Sequence, residues 1–274
     1  MTDAASLAAD KSASSSLPAG WPFLSIPEAN ARLTAPGERF EIEDVLIRGV
    51  LTHTWKNAPR TLRDVFEIGR TAYADRTFLV YENDRATYAA FSRAAIHLAQ
   101  RLVEEGVRKG DRVAVIMRNL PEWPVAFFAG VLAGAVVTPL NAWWTGPELE
   151  FGLADSGAKI AIADDERLAR IHDALPRCPD LQKVFVARGH AVGVKIEALE
   201  AVIGGVANWA ALPDGPLPDV PLGPDDDVTI CYTSGTTGKP KGALGTHRNM
   251  TSNIITSAFN QARGALRRGA QPAP

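Results

Sequence analysis

From Thr61 to Ala187 short apolar runs alternate with helical patterns, and this alternation constrains the fold more than any other feature of the chain. Arg112–Met117, Ala135–Leu140, Ala158–Ala163 and Lys183–Ala187 have strand length and apolar composition. Between and before them lie helical stretches. In Thr61–Tyr73, Leu62, Val65, Phe66, Ile68 and Ala72 recur at helical spacing. The segment Ala89–Glu105 carries a core face of Phe91, Ala95, Leu98, Leu102 and Val103 and stops at Gly106, where a left-handed residue ends a helix well. An apolar helix is expected around Trp123–Ala133, with Asn119 as N-cap, Pro121 just inside and Gly134 as its stop. Thr145 and Glu148 have capping-box spacing for a helix Gly146–Ala154, ended by Gly157. Asp164–Leu175 is the last helix of the series. Strands and helices alternating through short turns predict an α/β fold, with mostly parallel sheets covered by helices.

Thr77–Tyr81 and Ala86–Tyr88 predict a hairpin. His97, on the long helix, is read as a surface or packing residue. Trp21–Thr54 shows no clear period and is expected to wrap the surface. Glu197–Trp209 is expected to be a short helix. Pro213–Asp226 holds five prolines and reads as a linker. Asp227–Tyr232 is a short strand, and Ala243–Gly245 a short strand returning beside it. Met250, Ile254, Ile255, Ala258, Phe259, Ala262 and Leu266 mark an amphipathic helix. Arg263, Arg267 and Arg268 at its end complement the helix dipole. The expected division is a tail over 1–20, a surface-wrapping segment over 21–60, one large partial domain over 61–269 and a tail over 270–274.

Composition excludes several classes. A formal net charge of −2 on 274 residues gives no global attraction to nucleic acid or anionic membranes. Two cysteines, Cys178 and Cys231, make neither a disulfide framework nor a metal cluster, and Cys231 is expected to pack inside as a small hydrophobe. The start carries Asp3 and Asp10 and no apolar run, unlike a secretory signal, and the first arginine is Arg32. The uncharged stretch Trp123–Pro147 is broken by Pro124 and Pro139, and its apolar core Val125–Val137 is too short to span a bilayer. The expectation is a cytoplasmic protein without a transmembrane segment.

The chemistry concentrates in Tyr-Thr-Ser-Gly-Thr-Thr-Gly-Lys-Pro-Lys-Gly, residues 232–242. Three glycines, four hydroxyls and two lysines lie between Thr233 and Gly242. Glycines let the backbone approach a ligand, amide N–H groups converge on an anion, and the lysines add charge. A strand feeding such a loop suits a polyphosphate. The loop is not a Walker A motif, because Pro240 follows Gly238-Lys239 where Ser or Thr is needed. Nor is it a dinucleotide fingerprint, since the glycine two residues before Gly235 is missing.

Residues 232–242, followed by Thr246-His247, resemble the phosphate-loop signature of the AMP-forming adenylating enzymes, the superfamily of acyl-CoA synthetases, luciferases and peptide-synthetase adenylation domains. The likeness extends to Ala86-Thr-Tyr-Ala89, Gly110-Asp-Arg-Val-Ala114, Asn119-Leu-Pro-Glu122, Ala133–Asn141 and Asp155-Ser-Gly-Ala-Lys159. It covers about Thr61 to Phe259, and departs in minor ways at Ala243 and Thr246. The resemblance implies an incomplete N-terminal domain of the adenylate-forming fold, most like that of an acyl-CoA synthetase. It implies ATP with Mg²⁺, and CoA as co-substrate, acting on a fatty or other carboxylic acid. By the same resemblance Thr233, Ser234, Gly235, Thr236, Thr237 and Gly238 wrap the β- and γ-phosphates, while Lys239 and Lys241 neutralise charge. No catalytic or metal-ligating residue is assigned. The family's adenine, ribose and metal segments and its C-terminal lobe with the catalytic lysine are expected after Phe259. A truncated chain that is not self-sufficient is therefore expected, with a complementing C-terminal chain as a candidate partner. A non-catalytic nucleotide binder, a split-enzyme subunit and an adenylation domain serving a carrier protein stay open, and nucleic acid is not an expected partner.

Overall fold

The computed structural model of the chain describes residues 20–233 and 239–272. Two compact units divide them, residues 20–57 with 253–272 and residues 58–252. The chain starts with helix α1 (Ile26–Leu33) and the antiparallel hairpin β1 (Ile42–Ile47) and β2 (Val50–Trp55). These are the elements that the aperiodic sequence of Trp21–Thr54 left unread. Ser25 caps α1, its hydroxyl accepting the Glu28 N–H while the Glu28 carboxylate accepts the Ser25 N–H at 2.8 Å.

The larger unit follows with α2 (Leu62–Ala72), the hairpin β3 (Thr77–Tyr81) and β4 (Asp84–Thr87), and α3 (Tyr88–Glu104). Then come β5 (Arg112–Ile116), α4 (Glu122–Leu132), β6 (Val136–Pro139), α5 (Gly146–Ser156), β7 (Ala158–Asp164), α6 (Asp165–Ile171) and β8 (Lys183–Ala187). It continues with β9 (Ile196–Ala198), α7 (Glu200–Ile203), β10 (Asp227–Thr233) and β11 (Lys241–Thr246). Helix α8 (His247–Arg267) begins in this unit and runs into the residues assigned to the smaller one.

Seven strands form one sheet in the order β11-β10-β6-β5-β7-β8-β9. Every pair is parallel except β10 with β11. The chain makes β5, crosses by α4 to β6 on one side, then returns by α5 to β7 on the other side of β5. Such a reversal opens a crevice beyond the carboxyl ends of the strands. Strand alternation splits the core into two layers. Val113, Val115, Val137, Ile160 and Phe185 face the layer of α2, α3 and α4. Ala114, Ile116, Ala161, Ala163, Val184 and Val186 face α5 and α6. A Cβ added to Gly130 of α4 would lie 2.6 Å from Val137 Cγ2, so helix and sheet meet there only because residue 130 has no side chain.

The helix ends follow the capping rules. Thr61 and Asp64 form a capping box on α2, the Thr61 N–H donating to Asp64 at 2.8 Å. The Glu148 carboxylate accepts the Thr145 N–H at 2.7 Å and hydroxyl at 2.8 Å. Gly157 ends α5 with φ +60°.

Three expectations are corrected. Asn119 does not cap α4; Pro121 occupies the N-cap position, where it makes no side-chain hydrogen bond. Glu197–Trp209 is not one helix. It divides into β9, the single turn α7 and a 3₁₀ turn over Val206–Ala211, because the chain breaks at Gly204, φ +68°, while Trp209 reaches the core. Cys231 is exposed, not packed inside. Alternation turns Tyr232 toward α5 and sends its neighbour Cys231 to the opposite face.

In the smaller unit Phe259 of α8 packs edge-on against Phe40 at 5.5 Å and lies 5.2 Å from Trp55. Leu33, Ala262 and Leu266 complete that core. Trp55 Nε1 donates to the Thr256 hydroxyl at 3.1 Å, tying the hairpin to the helix. No described helix is long and apolar enough to cross a membrane.

Candidate functional site

The crevice at the carboxyl ends of β5, β6, β7, β8 and β10 is a cleft of about 910 Å³. The carboxyl ends of the strands and the segments after them supply its lining. That lining includes Arg118 after β5, Trp143 after β6, Arg167 after β7, Arg188 after β8 and Tyr232 on β10. Trp143 forms an aromatic wall with the Arg118 guanidinium 5.0 Å and the Arg167 guanidinium 5.7 Å from its ring centre.

Asp164 holds this wall together. It is the N-cap of α6, with Oδ1 accepting the Arg167 N–H at 2.9 Å, while Oδ2 accepts the Arg118 N–H at 2.9 Å. Arg167 is almost fully buried, donates to Ala142 O at 2.9 Å and to Glu166 at 2.8 Å, and keeps Nη2 without a partner among the described residues. Arg188 sits at φ +55°, uncommon for a residue with a side chain. Three contacts fix it there, to Glu122 and Asp84, each at 2.9 Å, and over the Tyr81 ring at 5.2 Å. Although burial opposes its charge, hydrogen bonds to Glu122 and Asp84 leave its pKa raised. The cleft therefore offers cations and an indole to an anionic or aromatic ligand.

Of the predicted loop residues, Thr233, Lys239 and Lys241 are described, and they adjoin the end of β10, whose Cys231 and Tyr232 line this cleft. Thr233 ends β10 and pairs with Lys241, the first residue of β11, and its hydroxyl donates to Lys241 O at 3.4 Å. Lys239 and Lys241 are both exposed, and neither makes an ion pair among the described residues. The Lys239 ammonium lies 5.7 Å from the centre of the Phe151 ring on α5. Ser234, Gly235, Thr236, Thr237 and Gly238 lie outside the described residues.

The structure adds residues that sequence reasoning did not assign to the site. Tyr232 OH donates to Asp155 Oδ2 at 2.7 Å, 77 positions earlier in the chain. Burial first, and then the Asp155 carboxylate, push the Tyr232 hydroxyl well above its ordinary pKa, so it remains a donor. Trp144 and Phe151 stand edge-on to its ring, with centroids 5.8 and 6.5 Å away. Asp155 belongs to a segment that carried the resemblance, but its sequence context alone assigned it no partner. Behind the sheet end, buried His247 accepts the Leu62 N–H on Nδ1 at 3.1 Å, and burial lowers its pKa.

A mostly parallel seven-stranded sheet flanked by helices, with a cleft at its carboxyl edge, defines the protein as α/β. The model of the AMP-binding enzyme family matches residues 66–271, and the chain belongs to that family. It is 38% identical over 169 residues to a feruloyl-CoA synthase of Amycolatopsis sp., covering 62% of this chain and 30% of that protein. It is 34% identical over 218 residues to a long-chain-fatty-acid–CoA ligase of Escherichia coli, covering 71% of this chain and 38% of that protein. Among solved structures it resembles the anthranilate CoA ligase AuaEII in complex with anthranoyl-AMP, with a TM-score of 0.61 and 26% identity over 69% of this chain and 35% of that one. The chain thus spans about a third of the length of the curated relatives it matches.

Proposed function

We propose that the chain carries the phosphate-holding part of an AMP-forming acid:CoA ligase. The observation that carries this reading is the placement of Thr233 and Lys241 across β10 and β11, at the carboxyl edge of the parallel sheet and beside the cleft. Family membership and relatives whose names specify CoA ligases support it. In this reading MgATP and a carboxylic acid are the first substrates. A carboxylate oxygen attacks the α-phosphorus, the bond to the bridging oxygen breaks, and pyrophosphate leaves with that electron pair. The thiolate of CoA then attacks the acyl carbon and AMP departs.

Thr233, Ser234, Gly235, Thr236, Thr237 and Gly238 are proposed to surround the β- and γ-phosphates, with Lys239 and Lys241 as counter-charges. Such a loop works by positioning and by stabilising charge that develops on the leaving group. Residues 1–274 are proposed to bind MgATP, and turnover to draw on the further sequence that the longer relatives have. The test is calorimetric MgATP binding by residues 1–274, combined with pyrophosphate release in the presence of ferulate or a fatty acid. Binding without robust release is expected. Absence of MgATP binding overturns the phosphate-holding role, and robust release by residues 1–274 alone overturns the dependence on further sequence.

A further inference from the structure

Both described shoulders of the loop rest on the same helix. Upstream, Tyr232 is fixed by its hydrogen bond to Asp155 at 2.7 Å and by the edges of Trp144 and Phe151. Downstream, the Lys239 ammonium sits over the Phe151 ring at 5.7 Å. Phe151 and Asp155 are one helical turn apart on α5, so their side chains share a face. The antiparallel pairing of Thr233 with Lys241 closes the hairpin between the shoulders. Helix α5 is itself anchored, capped by the Thr145–Glu148 pair at its start and by Gly157 at its end, with Leu149 and Leu153 buried beneath it.

We propose that Asp155 and Phe151 are positioning residues for phosphate binding, holding Tyr232 and Lys239 so that the lysine is kept at the loop before nucleotide arrives. The inference rests on the phosphate-holding reading of residues 233–241. The physical logic is pre-organisation, since a lysine already confined loses less side-chain freedom when it meets an anion. An exposed cation–π contact is weak enough to be given up for a polyphosphate. The Tyr232–Asp155 bond sets the direction in which β10 enters the loop, and it involves an exposed carboxylate whose removal leaves the core of α5 untouched.

The test is MgATP affinity of residues 1–274 by titration calorimetry, with inorganic tripolyphosphate as a second probe. Tyr232→Phe, Asp155→Ala and Phe151→Leu are each expected to weaken both ligands three- to tenfold, with melting temperatures close to that of the parent. Tyr232→Phe combined with Asp155→Ala is expected to be no weaker than the worse single variant. In a Lys239→Ala background, Phe151→Leu is expected to weaken binding less than it does in the parent, leaving only the part that acts through Tyr232, a coupling that a merely structural role would not produce. Unchanged affinity in the single variants, or fully additive losses in both combinations, overturns the positioning role while leaving the phosphate-holding reading intact. If the parent chain binds neither MgATP nor tripolyphosphate, the phosphate-holding reading fails and the positioning role falls with it.

Discussion

Replacing Asp164 by Ala is expected to be among the most destabilising single changes in the larger unit. The carboxylate has three roles, all visible in the structure. It caps α6 through the Arg167 N–H, it accepts the Arg118 N–H at the end of β5, and it lies 3.4 Å from the guanidinium of Arg167. Losing an N-cap costs about 0.5–2 kcal/mol. Losing a hydrogen bond to a charged group costs about 1.5–3 kcal/mol. Removing one partner of a buried ion pair costs about 3–5 kcal/mol. These costs overlap because one side chain serves all three roles, and Glu166 still faces Arg167 at 2.8 Å. The net expectation is roughly 3–5 kcal/mol, a large part of the about 5–15 kcal/mol that holds a typical domain folded. Asp164→Asn keeps a cap-competent oxygen and removes the charge, so about half of that loss is expected. Urea unfolding of residues 1–274, followed by both circular dichroism and fluorescence, measures the difference and tests for a single transition. A loss below about 1 kcal/mol for Asp164→Ala would refute the view that this carboxylate unites the ends of β5 and β7.

Gly130→Ala is expected to cost about 1–3 kcal/mol by overpacking, since its new methyl would meet Val137 Cγ2 at 2.6 Å; urea midpoints check it, and a neutral result would mean that α4 shifts freely on the sheet. Thr61→Ala is expected to cost about 0.5–2 kcal/mol through loss of the α2 cap, measurable in the same way. His247 provides the pH prediction. Its folded pKa lies below its unfolded value near 6.5, so the unfolded chain takes up the proton first as pH falls. Its contribution is full above that value and is lost on acidification below it, at up to about 1.4 kcal/mol per pH unit until the folded state also protonates. Protonation would also turn the Nδ1 acceptor of the Leu62 N–H into a donor. Stability measured from pH 7.5 to 5.5 should fall less steeply for His247→Gln, and an identical slope would contradict the assignment.

The sheet was legible in the sequence because its strands and helices have distinct periods and marked ends. Thr61 with Asp64, Thr145 with Glu148, and Gly106 and Gly157 are local signals, and each acts within a few residues. Where one local signal competed with another, the reading failed. Pro121 displaced Asn119 as N-cap because its fixed φ already suits the first turn. In the stretch Glu197–Trp209 a helical composition spans Gly204-Gly205, which the backbone uses to break the helix. The hairpin β1–β2 reverses at Arg48-Gly49, with φ of +48° and +85°, and an arginine there gives none of the usual turn signal.

The candidate site divides the same way. Its loop is contiguous in sequence, so its composition announced it. The pairing of Tyr232 with Asp155 joins residues 77 positions apart, and the cleft gathers Arg118, Trp143 and Arg167 from three different strand ends. Only the order of strands in the sheet brings these together, and nothing in the local pattern encodes that order.

The most direct measurement compares MgATP binding by residues 1–274 with binding by the Lys239→Ala/Lys241→Ala variant. Neither lysine makes an ion pair among the described residues, and both are exposed, so their removal should leave the fold and its melting temperature unchanged. The parent chain is expected to bind MgATP, and the double variant to bind it at least tenfold more weakly. Equal affinities, or no binding by the parent, would contradict the claim that this hairpin holds the phosphates of ATP.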